Sequence, residues 1–249
     1  MSEHKNTLTD GNVGKALLII ALPIIISNML QSVLEVVDMH FIGELGDTSI
    51  AGGTLSVSVI MVLTTVLMGI VTATAAFVSR AYGSEKYERI QVVLAHAIYL
   101  GLIFSALLAV IGFFWSEEIL FFMSQGDAAL AAEGAKFLRP ALIGSFIMML
   151  LMTLTTVFQS TGDSRTPMFV MVGVNIVNII LNPTLIQGLW IFPAMGLAGS
   201  AYASLSSRAV GVILLILCMY FLPKHKYGPI KFPKKFIFEP RLVKDIFVI

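Results

Sequence analysis

Two carboxylic acids, Glu35 and Asp38, lie within an apolar stretch that runs from Ala16 to Gly43. That stretch is long enough to cross a bilayer, where ionisable side chains are costly and usually belong to a site or an ion pathway. An acid that only had to accept hydrogen bonds would be replaced by Asn at lower cost, so Asp38 is predicted to be functional. Glu35 is either a second titrating group or a carboxyl that stays protonated, because acids one turn apart raise each other's pKa.

The same stretch carries a polar stripe. Asn28 and Gln31 precede the two acids at helical spacing, and all four side chains fall within a sector of about 80° on a helix. Such a stripe is predicted to face protein or water, with Asn28 and Gln31 either lining a substrate cavity or joining neighbouring helices. Pro23 lies upstream and lacks a backbone N–H, so it is a candidate bend point.

A second polar set lies in a later apolar run, where Asn175, Asn178 and Asn182 recur at helical spacing before Pro183. Amide oxygens together with a carbonyl freed by proline are the hard oxygen ligands that small cations prefer. The alternative is an Asn ladder that joins two helices. Asn175 is a candidate for lining the cavity rather than for holding the ion.

The elements that must position these residues are membrane-spanning helices. The chain has 249 residues, of which 57% are hydrophobic and only 12% charged, and its mean hydropathy is +0.90. Six apolar runs each have the roughly 20 residues that a spanning helix needs, which predicts an all-α integral membrane protein. The predicted helices 1 to 6 cover about residues 16–42, 54–79, 91–115, 137–160, 168–187 and 196–222.

Composition excludes several other classes. A net charge of +1 gives no indication of nucleic-acid binding, and the single cysteine, Cys218, excludes a disulfide framework. Motifs of zinc proteases, nucleotide hydrolases and serine hydrolases are absent from the sequence, so no enzyme activity and no cofactor are expected.

Charge in the loops predicts the orientation. Basic residues cluster in the N-terminus, in the second and fourth loops and after the sixth run, which places these segments in the cytoplasm of a cell-membrane protein. Helices 1 and 5 then run outward and helix 6 inward, so Asp38, Asn182 and Ser204 all fall in the outer half of the membrane. A shared site between helices 1, 5 and 6 is therefore possible, and small residues along helix 6 favour close packing. Arg208, within helix 6, requires a polar neighbour.

Three segments follow from this interpretation: a cytoplasmic N-terminus (1–15), a six-helix lobe (16–222) and a basic linker with the start of a seventh helix (223–249). The last segment breaks off within an apolar run. We therefore expect the chain to be the first part of a longer transporter.

Five segments together resemble the multidrug and toxic compound extrusion (MATE) family. They are LPIIISNMLQSVLEVVDMHFIGELG, AAFVSRAYGSEKYER, FQSTGDSRTPM, NIILNPTLI and MGLAGSAYAS, spread over most of residues 10 to 222. The resemblance implies the six-helix N-terminal lobe of a twelve-helix transporter, with the second lobe in the same polypeptide. It also implies an antiporter in the lipid bilayer that exports small amphipathic or cationic organic compounds in exchange for Na⁺ or H⁺.

The resemblance also implies roles for particular residues. The coupling acid falls on Asp38, the bending proline on Pro23, helix 5 ligands on Asn178 and Asn182, and a helix 6 hydroxyl on Ser204. If Na⁺ is the ion, Asp38, Asn178 and Asn182 are its expected ligands. Many relatives have Asp at the position of Asn182 and Thr at that of Ser204, and Glu35 is the candidate that restores the missing charge.

Three alternatives remain. A lipid-linked saccharide flippase of the same superfamily would need several cationic residues in its cavity, and Arg208 is the only mid-helix candidate. A non-transporting membrane subunit would not need an acid in helix 1. A homodimer of six-helix half-transporters is allowed by topology.

Overall fold

A computed structural model describes residues 13–221, which form seven α-helices and no strand within that range. The predicted N-terminal segment lies outside the described residues except for its last three, and the predicted linker with the start of a seventh helix lies outside them entirely. The helices are α1 (Val13–Gly43), α2 (Asp47–Gly83), α3 (Tyr87–Met123), α4 (Ala128–Ile143), α5 (Ser145–Ser160), α6 (Arg165–Gln187) and α7 (Leu197–Phe221).

The described helices provide five to six membrane crossings. Among the described residues, α1, α2, α3, α6 and α7 are each long and apolar enough to span a bilayer, and α4 and α5, which meet at an angle of 50°, are together long and apolar enough for a sixth, broken span. The predicted helices 5 and 6 correspond to α6 and α7. The protein is therefore a multi-pass all-α membrane protein, as the hydropathy pattern predicts.

The predicted helix 4 is broken rather than continuous. It begins earlier than expected, at Ala128, where the Asp127 side chain accepts a hydrogen bond from the Leu130 N–H at 3.0 Å and caps the helix. It breaks at Gly144, which precedes Ser145, and Gly–Ser pairs are a common cause of kinks. A Cβ at Gly144 would lie 2.4 Å from the Leu205 side chain, so glycine lets α7 approach the break closely.

The predicted third loop is largely helical, because α3 continues to Met123. Glu117 and Glu118 gave this segment a polar character, but both side chains are exposed while Ser116 and Leu120 are buried. Gly112, Ser116 and Leu120 recur every four residues, so the face that packs on α4 continues past the acids.

The bundle places α6 between α1 and α7, with α7 also in contact with α4 and α5. The face of α7 toward its neighbours carries the predicted small residues, since Gly199, Ala203 and Ser207 are buried. A Cβ at Gly199 would lie 2.6 Å from the carbonyl carbon and oxygen of Leu185. The backbones of α6 and α7 therefore touch at Gly199, which brings the polar residues of both helices within reach of each other.

Replacing Gly199 by Ala is expected to destabilise the protein by about 1–3 kcal/mol, because the clash is with backbone that cannot move alone. The measurement is the thermal unfolding midpoint in detergent. Gly69→Ala in α2 is the matched control, since a Cβ there meets nothing within 4 Å. Equal midpoints for the two variants would contradict the close contact.

Candidate functional site: a buried acid between three helices

Asp38 lies at the junction of α1, α6 and α7. Only 8% of its surface is exposed, and its three partners Asn178, Asn182 and Ser204 are 0%, 0% and 4% exposed. The Asn178 Nδ2 donates to Asp38 Oδ1 at 3.0 Å, and the Asn182 Nδ2 donates to the same oxygen at 2.6 Å. The Ser204 hydroxyl donates to Asp38 Oδ2. The carboxylate thus accepts three hydrogen bonds from two other helices.

The donors are also tied to one another. Asn182 Nδ2 lies 2.9 Å from Asn178 Oδ1, and Asn178 Nδ2 lies 3.3 Å from Ser204 Oγ. Asn178 and Asn182 stand on one face of α6 because they are four residues apart. We call Asp38, Asn178, Asn182 and Ser204 the acid cluster. These four side chains from the predicted helices 1, 5 and 6 therefore meet, and their role as a shared site stays a prediction.

The charge of the Asp38 carboxylate is not balanced at short range by a basic side chain of the described residues. No basic side chain among residues 18–221 lies within 4.0 Å of the Asp38 carboxylate. Arg208 lies one turn beyond Ser204 on α7, is partly buried, and interacts electrostatically with Asp38 and Glu35 at longer range. Neutral donors therefore stabilise the Asp38 charge at short range.

Glu35 is not part of the acid cluster. Its side chain is exposed, and its Oε1 lies 3.3 Å from Gln31 Nε2 on its own helix. Gln31 is partly buried and Asn28 is exposed. The predicted stripe is wider than the buried face of α1, which includes Leu34 and Asp38. Asp38 and Gln31 lie at one edge of the stripe, and Glu35 and Asn28 lie up to about 80° away.

The remaining predicted residues have local partners. The Asn175 amide donates to the Met171 carbonyl of its own helix at 2.9 Å, and its buried Oδ1 has no hydrogen-bond partner. Pro23 is buried within the continuous helix α1, and its carbonyl accepts a hydrogen bond from the Ser27 hydroxyl at 2.8 Å. Asn175 therefore stays a candidate for lining a cavity, and bending at Pro23 stays a prediction.

One contact beside the site was missed from the sequence. Gln187 Nε2, at the end of α6, lies 2.8 Å from Glu44 Oε2, which follows the end of α1. Both residues are polar, and both lie at the ends of neighbouring helices on the same side of the membrane. This pattern in the sequence could have indicated the contact. This contact ties together the C-terminal ends of the two helices that hold Asp38 and the two Asn residues.

The acid cluster has the chemistry to exchange hydrogen bonds for a small cation. Asn182 Oδ1 is buried without a hydrogen-bond partner, and turning an amide about its last torsion exchanges N–H for oxygen. The cluster then offers oxygen ligands from Asp38, Asn182 and Ser204, which suit Na⁺ or a proton. Residues 13–221 contain no group of three His, Cys, Asp or Glu side chains suited to a metal ion.

Comparison with known families decides the classification. The family model described as MatE matches residues 23–184 of the chain. The chain belongs to the MatE family. This confirms the resemblance found in the sequence, and the matched range contains Asp38, Asn178 and Asn182.

Two curated relatives of this MatE chain are named as transport or resistance proteins. The probable multidrug resistance protein YoeA of Bacillus subtilis is 29% identical over 239 residues, which are 96% of this chain and 50% of that protein. The FAD transporter of Shewanella oneidensis is 27% identical over 212 residues, 85% of this chain and 47% of that protein. The chain therefore spans about half the length of these relatives.

A solved structure shows the same fold. A MOP superfamily transporter from Pyrococcus furiosus superposes with a TM-score of 0.83 at 23% identity, covering 99% of this chain and 53% of that one. The fold of this MatE chain is therefore that of about half of a MOP superfamily transporter.

Proposed function

We propose that the chain is the N-terminal lobe of a secondary antiporter that exports amphipathic organic compounds in exchange for Na⁺ or H⁺. The observation that carries this proposal is the buried Asp38 carboxylate, held by neutral donors from α6 and α7. A buried acid without a close cationic partner in a membrane transporter is a natural ion-coupling group. The second lobe is expected in the same polypeptide, and the N-terminus in the cytoplasm.

The coupling step follows from the hydrogen bonds of the acid cluster. Entry of H⁺ or Na⁺ from outside neutralises Asp38, so the carboxylate no longer needs three donors. The Asn182 amide turns its unpartnered oxygen toward the cation, and Asn178 and Ser204 rearrange with it. The contact of α1 with α6 and α7 changes, Pro23 lets α1 bend, and bound substrate is released outside.

The proposal is tested by efflux of a fluorescent amphipathic cation from vesicles that contain the full-length protein. An imposed inward gradient of Na⁺ or H⁺ should drive export, and the gradient that does so identifies the coupling ion. If neither the Na⁺ gradient nor the H⁺ gradient drives export, the proposed activity is contradicted.

A second candidate substrate class is supported by Arg208. This residue interacts electrostatically with Asp38 and Glu35, and one relative of the chain is named as an FAD transporter. A guanidinium one turn from Ser204 on α7 has the donors to bind phosphate or carboxylate groups. We therefore infer that substrates with an anionic group beside an aromatic or apolar part are alternatives to organic cations.

Arg208→Gln separates the two classes. We expect it to lower export of an anionic aromatic dye by about tenfold, because an ionic hydrogen bond contributes about 1.5–3 kcal/mol, and to leave export of a cationic dye intact. Arg208→Lys, which keeps the charge, should restore part of the anionic transport. Equal loss for both dyes would assign Arg208 a structural role.

A further inference from the structure

An apolar groove lies between the first halves of α1 and α6, on the outer surface of the bundle. It encloses about 430 Å³, and its lining includes Leu18, Leu22 and Ile26 from α1, Met168 and Phe169 from α6, and Arg165. Leu18, Leu22 and Phe169 are 65%, 57% and 66% exposed, so the groove opens away from the helix bundle. Ile26 precedes Asp38 by twelve residues, which is about 18 Å along a helix, so the groove is separate from the acid cluster.

The side chains around the groove have the character of a lipid-facing surface. It lies within the spanning length of α1, on the side of that helix whose exposed residues are apolar, such as Leu22, Ile25 and Met29. The exposed polar residues Asn28 and Glu35 lie on another side of α1. In a spanning helix, exposed apolar side chains face acyl chains, whereas exposed polar ones face cavities.

Arg165 gives the groove a charged end. It is the first residue of α6 and is exposed, and it stands on the membrane side that also carries Arg80, Lys86 and Arg89 at the connection of α2 to α3. A guanidinium at the membrane surface matches the geometry of a phosphate, to which it can donate two parallel hydrogen bonds. An apolar channel that ends at such a cation is complementary to a phospholipid, which has apolar acyl chains and an anionic phosphate.

We propose that this groove binds one phospholipid with an anionic headgroup, its acyl chain along α1 and α6 and its phosphate at Arg165. The volume falls within the range of about 300–1,000 Å³ that is typical of small-molecule sites. Lipid binding here is independent of the proposed transport activity and of Asp38. A lipid in this position would pack against the stretch of α1 that contains Pro23, which also lines the groove.

Native mass spectrometry of the purified full-length protein tests the site, after incubation with mixed micelles of detergent and either phosphatidylglycerol or phosphatidylcholine. Arg165→Gln should lower retention of phosphatidylglycerol about fivefold, the effect of about 1 kcal/mol for one basic residue at an anionic surface. The loss should be smaller for phosphatidylcholine, because its own choline group neutralises the phosphate. Leu22→Trp should lower retention of both lipids by filling the groove. Arg89→Gln and Val62→Trp are the matched controls, since both positions are exposed and neither lines the groove.

The results of this experiment distinguish between the candidate occupants of the groove. Loss for Arg165→Gln and Leu22→Trp, with the controls within about twofold of the original protein, supports the lipid site. An equal loss for Arg89→Gln would show general surface attraction and overturn it. Displacement of the lipid by inorganic phosphate would identify a phosphate site instead. Unchanged retention in both groove variants would show that lipid does not occupy the groove.

Discussion

Asp38→Asn is expected to reduce ion-driven export to the level of vesicles without protein, while the protein still folds. Asn keeps the shape of the side chain but carries no charge. A cation therefore no longer binds one conformational state of the site more tightly than the other. A ligand with equal affinity for both states shifts no equilibrium. The cost in stability should be about 1–3 kcal/mol, because the amide hydrogens of the new Asn would meet the donors of Asn178 and Asn182.

Glu35→Gln is the matched control for that variant, because it removes the same charge from the same helix. Glu35 is exposed and bonds to Gln31 on its own helix, so ion-driven export should stay close to that of the original protein. A loss as severe as that of Asp38→Asn would show that the two acids share the ion. Unchanged export in Asp38→Asn would remove Asp38 from the coupling step.

Asn178→Leu is expected to have the largest effect on stability, about 3 kcal/mol or more, since it leaves several buried polar atoms without partners. Asn178 is fully buried and bonds to all three other members of the acid cluster. Leu has the same number of side-chain heavy atoms and the same branching, so the substitution leaves no cavity and the loss arises mainly from hydrogen bonds. The measurement is the unfolding free energy in detergent, together with ion-driven export, which should be lost.

A double-mutant cycle separates support of the Asp38 charge from simple packing. Once Asp38→Asn has removed the charge, Asn178→Leu should cost less than it does alone, with a coupling energy of about 0.5–3 kcal/mol. Ile179→Leu is a suitable control, because Ile179 is the neighbouring residue on α6 and its side chain is 44% exposed. Additive effects of the two substitutions would contradict direct support of Asp38 by Asn178.

The acid cluster was predictable because helical spacing, orientation and family resemblance agreed. Asn178 and Asn182 share a face of α6 by spacing alone, and Asp38 and Ser204 were placed at a similar depth by the direction of their helices. The hydrogen bonds among them depend on the close approach of α7 to α6, which the small residues of α7 indicated. The orphan oxygen of Asn182 was not predictable, since it depends on which way the amide points.

The position of Glu35 outside the acid cluster was not predictable from spacing. An 80° stripe on α1 includes both the buried Asp38 and the exposed Glu35, and only the positions of α6 and α7 decide where the buried face ends. The break at Gly144 and the continuation of α3 past Glu117 have the same origin. In each case, packing against a neighbouring helix outweighed a local signal of charge or continuity.

The most direct test of the central claim compares two transport modes of Asp38→Asn in vesicles that contain the full-length protein. One mode is exchange of labelled for unlabelled substrate without an ion gradient, and the other is export driven by Na⁺ or H⁺. If Asp38 in the acid cluster couples the ion, exchange should persist while ion-driven export falls to background. Persistence of ion-driven export, or equal loss of both modes in a folded protein, would contradict the coupling role of Asp38.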